Sequence, residues 1–468
     1  MSSTKKFEIR KIVYIVLSVA CYFVVSNFPL PEGLTIEGLK AIALMLSGVI
    51  LWATEAIPLT ITSLLLPMLT GILGIVPVNE TLRGFMNTTI IFMASAQLIA
   101  FAFTTSGLGK RLALKLSFVF GNKPNQVLLS FMLFSGIISM FLVDIPTAII
   151  FSGLAVDILE RNDCIPGESN YGRSIMMGIP IAAAIGGFGT PVGSGLNILT
   201  INLLEKETGV SINFMQWAMI GIPVAVILIF VAWLIISKLL KPEMEIIKGS
   251  ENIEQEMKDL GPLTIDEKKF IVIFLITVLF WVTQPLTKID NTLVACCAAA
   301  VLSLTGINLI EWGKARTFVG WEGLFLVGSS TAIALLLVVT GASKWLGTIL
   351  LNSMHGLSPI LVILIVIAVG IFSHIPLPVG GAMVALMVPI VAQLAMSLGM
   401  NPIYLVLPLG FTVSCVFLIP LDPIPLTTFN YKYWKMSDMI KVGFVISLAW
   451  IAILTVAMIF AYQLHIFG

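Results

Sequence analysis

A chain of 468 residues with 58% hydrophobic and only 11% charged residues, and a mean hydropathy of +1.04, lies outside the soluble range, in which roughly a quarter of residues are charged. It reads as a polytopic membrane protein with roughly ten to twelve crossings or half-crossings of about 20 apolar residues, leaving no room for a large soluble domain. A net charge of +1 excludes nucleic acid as a partner, and the five cysteines at 21, 164, 296, 297 and 415 follow neither ligand nor disulfide spacing, so no metal or cofactor is expected.

In chain order, Lys5, Lys6, Arg10 and Lys11 precede the first apolar run with no cleavage site after it. This predicts a multi-pass protein of the cell membrane with a cytoplasmic N-terminus and an uncleaved first helix from Ile12 to Asn27. A second helix runs from Gly38 to Thr54. Glu55 follows it, and the turn implied by Pro58 favours an interfacial over a buried acid. Helices are predicted from Thr60 to Leu73 and from Thr88 to Thr105. Gly109 to Phe120 mixes Lys110, Arg111 and Lys115 with apolar residues, as a helix lying in the membrane interface does.

Pro124 to Glu160 is apolar but interrupted at Asp144-Ile145-Pro146-Thr147. The pattern fits a re-entrant hairpin with its tip there, and a proline-kinked helix is the alternative. From Ala182 to Thr200 the chain reads A-A-A-I-G-G-F-G-T-P-V-G-S-G-L-N-I-L-T. Glycine and proline weaken the helical ladder, and non-helical backbone at membrane depth survives only inside protein or along a watery cavity. The stretch is therefore expected to unwind and hold a polar ligand, with Gly189, Thr190, Ser194 and Asn197 lining it. Close helix packing through small residues is the competing explanation. A helix from Phe214 to Leu239 precedes 241–269, the one long charged stretch, which reads as a solvated linker.

The second half echoes the first. Trp52-Ala-Thr-Glu recurs as Trp281-Val-Thr-Gln, Leu69-Thr-Gly-Ile as Leu304-Thr-Gly-Ile, Arg83-x-Phe as Arg316-x-Phe, and Ser106-Gly with Lys110 as Thr340-Gly with Lys344. Order and spacing are kept, which predicts a leading helix (1–36) and two inverted repeats (37–240 and 270–468) around the 241–269 linker. Each repeat is expected to hold a re-entrant hairpin (about 124–160 and 357–397) and a discontinuous helix (about 174–200 and 402–428). The second hairpin tip falls in Ser373 to Gly381, and the second break in Ile419 to Thr428.

W-A-T-E-A-I-P-L-T-I-T-S-L-L-L-P (52–67), I-G-G-F-G-T-P-V-G-S-G-L-N (185–197), G-V-S-I-N-F-M-Q-W (209–217) and K-M-S-D-M-I-K-V-G (435–443) resemble the divalent anion/sodium symporter family of di- and tricarboxylate transporters. The resemblance implies an elevator-type carrier, a homodimer embedded in lipid, with mobile hairpins and broken helices. Sodium-coupled members carry Ser-Asn-Thr at each hairpin tip. Here the tips are Val143-Asp144-Ile145 and Val379-Gly380-Gly381, so the likeness is to the branch of sodium-independent exchangers, with sodium- or proton-coupled dicarboxylate symport as the alternative.

Such a carrier takes a small dicarboxylate of four or five carbons, because exposed amides and helix N-termini suit carboxylates where Lys and Arg are scarce. Expected substrate contacts are Asp144, Ile145, Pro146, Thr147, Gly189, Thr190, Ser194, Asn197, His374, Pro378, Gly380, Gly381, Thr427 and Thr428. Asp144 can bind a cation or proton, pair with His374, or cap the helix that begins beside it. His374 is either an imidazolium facing the substrate or a neutral core side chain. Asp422 has no partner legible in the sequence. An intramembrane hydrolase is disfavoured, since neither H-E-x-x-H nor G-x-S-x-G occurs.

Overall fold

The computed structural model describes residues 3–117, 119–354, 356–375, 380–420 and 422–467, and among these there are helices but no strand. Among the described residues, seven helical segments are long and apolar enough to cross a membrane. The leading helix α1 (Ser3–Ser26) lies against α2 (Ile36–Thr54), where Ser18 and Ser47 each donate a hydroxyl to the other's carbonyl at 2.9 Å. Apolar area gives helices little reason to associate in hydrocarbon, so small residues and such paired hydrogen bonds hold them together. Thr35 starts α2 by accepting from the Gly38 amide. Glu55 ends it, exposed and left-handed at φ 46°, in keeping with an interfacial acid.

The first repeat continues through α3 (Leu59–Ile72), α4 (Val78–Phe85), α5 (Thr88–Thr105) and the short mixed helix α6 (Leu108–Ser117). The hairpin arms α7 (Pro124–Ser139) and α8 (Asp144–Arg161) turn at 140–143. Then come the two pieces of a discontinuous helix, α9 (Asn170–Gly187) and α10 (Gly195–Thr208), and the long α11 (Phe214–Leu239).

After α12 (Ser250–Asp259), the second repeat runs through α13 (Ile265–Val282), a short α14 (Gln284–Thr287), α15 (Asn291–Ser303), α16 (Trp312–Phe318), α17 (Trp321–Val339) and α18 (Ala342–Met354). It closes with the hairpin arms α19 (Pro359–Phe372) and α20 (Gly380–Ser397), the broken pair α21 (Ile403–Thr412) and α22 (Pro423–Phe429), and α23 (Met436–Gln463). Apart from α14, this series matches α2–α11 element for element. The fold is thus a leading helix and two inverted repeats, each with a hairpin and a broken helix.

The broken helices occupy the centre. Every residue of α9 from Ser174 to Gly187 is buried, as are all of α21, whereas spans such as α11 and α23 leave one face exposed. Aromatic rings tie the two breaks together. Phe188 lies 5.0 Å from Phe411 and 5.1 Å from Trp450, and the Trp217 indole donates to the Phe188 carbonyl at 2.7 Å.

Both breaks differ from the expected extent. The first covers only 188–194, and α9 stays helical through Gly186 and Gly187. A Cβ at Gly186 would lie 2.0 Å from the Gly136 carbonyl oxygen on α7, so this glycine serves close packing. In the second repeat α21 ends at Thr412 and α22 begins at Pro423, which leaves Thr427 and Thr428 inside α22. The linker is also less free than its charge implied. Glu243 accepts from the Ser169 hydroxyl and the Tyr171 amide at the start of α9, and buried Glu267 pairs with Arg111 of α6 at 2.6 Å.

Candidate functional site

Helix starts from opposite repeats meet at the centre in two junctions. At the first, α8 packs against α22. Asp144 is the first residue of α8, buried, and its Oδ1 accepts from the Ile145 amide at 2.8 Å. It is not the N-cap, a position held by Val143, whose side chain cannot accept. Asp422 is the N-cap of α22 and accepts from the Ile424 amide at 3.0 Å. The two acids thus stand at the starts of packed helices from opposite repeats, and no ion pair involves either among the described residues. The Asp144 side chain also backs onto Gly187, where a Cβ would come within 3.1 Å of Oδ2.

At the second junction α10 packs against α20. The start of α10 is capped by Ser194, whose hydroxyl accepts from the Leu196 amide at 3.4 Å. The start of α20 is Gly380-Gly381, and a Cβ at Gly380 would meet Leu196 at 2.8 Å. Across from it, the buried Ser330 hydroxyl of α17 points at Gly381, 3.3 Å from where a Cβ would sit. Ser329 and Ser330 have no hydrogen-bond partner among the described residues. A run of three hydroxyls, Ser329-Ser330-Thr331, in an apolar helix is the signal that sequence reasoning passed over. Pro378 and Val379 of this tip lie outside the described residues.

Several expected ligands are engaged with the backbone of the breaks. The Thr190 hydroxyl donates to the Met140 carbonyl at the first hairpin tip, and Asn197 Nδ2 donates to the Gly187 and Thr190 carbonyls at 2.8 Å each. The Thr147 hydroxyl donates to the Leu142 carbonyl at 2.7 Å, and the Gly189 amide donates to Gly186 at 2.8 Å. Thr427 donates to the Ile424 carbonyl at 2.7 Å. Thr428 donates to the Pro425 carbonyl at 3.3 Å and accepts from Trp434 Nε1 at 3.1 Å. Unwound backbone must be satisfied inside the protein, and these side chains satisfy it. Pro146 lies buried in the first turn of α8, where proline needs no amide partner.

His374 does not pair with Asp144. It lies buried just after α19, with Nε2 3.2 Å from the Thr412 carbonyl at the end of α21. A carbonyl only accepts, so Nε2 carries the proton. Nδ1 is buried without a partner among the described residues.

A membrane protein with inverted repeats, each contributing a hairpin tip and a broken helix to one central polar site, is a secondary transporter by architecture. The chain belongs to the family described as "Sodium:sulfate symporter transmembrane region", whose pattern matches residues 9–467. It is 26% identical over 482 residues to the "Sodium-dependent dicarboxylate transporter SdcS" of Staphylococcus saprophyticus, covering 97% of this chain and 92% of that protein. A "Membrane protein" of Cupriavidus necator is 28% identical over 431 residues, 86% of this chain and 83% of that one. The crystal structure of the Alcanivorax borkumensis YdaH transporter, described as having an unusual topology, shares the fold at 13% identity and a TM-score of 0.55, over 97% and 98% of the two chains.

Proposed function

We propose that this chain carries four- or five-carbon dicarboxylates across the cell membrane by symport with a cation, sodium or a proton. The observation that carries this reading is the placement of Asp144 and Asp422 at the starts of two packed helices, with neither in an ion pair among the described residues. A carboxylate taken out of water uncompensated costs on the order of several kcal/mol, so two together call for a bound cation or a proton. The relatives named as sodium-dependent dicarboxylate transporters support the same coupling. This revises the exchange reading, which rested on the loss of Ser-Asn-Thr from the tips. Two carboxylates supply hard oxygens that Val143 and Ile145 do not.

The anion would lie at the second junction, where α10 and α20 direct N-terminal amides and dipoles toward Gly380, Gly381 and the unpartnered serines. Asn197, Thr190 and Thr147 shape the site by holding the breaks open. A homodimer with a cytoplasmic N-terminus and an elevator movement of hairpins and broken helices completes the proposal, supported by family membership and by the central position of those elements.

The test is uptake of labelled succinate into proteoliposomes without internal dicarboxylate, driven by an inward sodium or proton gradient. Gradient-driven accumulation is expected. Uptake that requires internal dicarboxylate and ignores both gradients would restore the exchange reading.

A further inference from the structure

We propose that a groove between α6, α13 and the first hairpin tip holds one acyl chain of an anionic phospholipid, with the headgroup phosphate at Lys115. The groove encloses about 240 Å³ and is lined by apolar side chains, among them Phe103 of α5, Leu112 of α6, Phe141 of the tip and Phe274 of α13. Two of its lining residues, Ile137 and Leu275, are 38% and 62% exposed on the surface of a protein whose helices are long and apolar enough to cross a bilayer. A cavity lined this way gives water no polar partners, and its opening meets hydrocarbon. The occupant that fits is a lipid tail.

The headgroup follows from α6. Leu108, Arg111, Leu112 and Lys115 fall on one helical stripe, so the cation stands one turn beyond the two leucines that line the groove. Arg111 is fully engaged. It pairs with Glu267 at 2.6 Å and donates to the carbonyls of Gly261, Leu260 and Pro262 at 2.9, 3.3 and 3.3 Å. Lys115 is exposed at the last turn of a mixed interfacial helix, where basic residues attract anionic headgroups. The groove also reaches Leu142, two residues from Asp144, and the Leu142 carbonyl takes the Thr147 hydroxyl. A chain seated there separates α13 from the tip that carries the acid, so its presence bears on how freely the tip moves.

The test uses the full-length protein in bilayers containing phosphatidylglycerol with a photoactivatable diazirine on the acyl chain, followed by peptide mapping. Adducts are expected on 137–142, α6 and α13, several-fold more than with the phosphatidylcholine analogue. Lys115→Ala, at an exposed position, is expected to abolish that headgroup preference, and Leu112→Trp to remove adducts by filling the groove. Equal labelling by both headgroups, untouched by Lys115→Ala, overturns the proposal. So do adducts spread evenly over the exposed faces of α1 and α23, or cross-links showing that a second copy covers the groove.

Discussion

The two junctions at the centre of the molecule are built alike and charged differently. Where α8 meets α22, each helix start carries an aspartate; where α10 meets α20, the starts carry Gly195, Gly380 and Gly381 beside the Ser330 hydroxyl, which has no partner among the described residues. An inverted repeat makes the backbone frame twice, and the side chains decide what each copy attracts. A helix start with an aspartate already accepting from its amides has little left for an anion. The start of α20 carries glycine and that of α10 a neutral serine cap, so neither sets a negative charge against an anion. On the proposed reading, cation and dicarboxylate therefore occupy separate junctions, and their summed charge is smaller in magnitude than that of the dicarboxylate alone.

The comparison breaks most plainly at the acids. Removing a carboxylate that pairs with a buried cation costs about 3 kcal/mol, on the order of 100-fold in affinity for that cation. Asp144→Asn is thus expected to collapse gradient-driven succinate uptake, with Asp422→Asn weaker because that side chain is only partly buried. Direct measurement of the sodium or proton dependence of uptake checks it. Unchanged coupling in the double variant would remove the first junction from the mechanism.

Asn197→Ala sharpens the distinction between holding a site and binding in it. Its amide satisfies two buried carbonyls, so about 1–3 kcal/mol of stability should be lost, read as a lower melting temperature in detergent. Ser330→Ala is expected to do the opposite. It removes a hydroxyl with no partner, leaves melting unchanged, and raises the KM for succinate by roughly fivefold if one hydrogen bond of about 1 kcal/mol to the anion is lost.

Much of the fold was legible because glycine, proline and charge interrupt apolar runs at regular places, and because the echoes from Trp52 to Lys110 recur in order from Trp281 to Lys344. The extent of each break was not. Gly186 looks like a helix breaker in sequence, yet tight packing on Gly136 keeps it helical. Thr427 and Thr428 look like ligands, yet α22 begins at Pro423 and turns their hydroxyls back onto its own carbonyls. Asp422 had no legible role because its counterpart, Asp144, belongs to the other repeat. No local pattern reports a contact that only the folded arrangement of two halves creates.

The smallest expected effect is at His374, where sequence alone favoured a substrate-facing cation over a core side chain. The ring donates through Nε2 to the Thr412 carbonyl at the C-terminal end of α21, away from any carboxylate with which it forms an ion pair among the described residues. Glutamine offers an amide N–H at similar reach, so His374→Gln keeps a donor for that carbonyl and loses only the imidazole. Uptake is expected to change by less than about twofold, since one neutral hydrogen bond is exchanged for another of about 1 kcal/mol. Coupling to the cation gradient should also persist. A carrier in which the imidazolium balances the dicarboxylate would instead lose transport in His374→Gln while retaining it in Asp144→Asn, reversing the order of effects. Measuring both variants in the same proteoliposomes therefore decides whether the compensating charge enters with a cation at the acid-bearing junction or resides on the histidine.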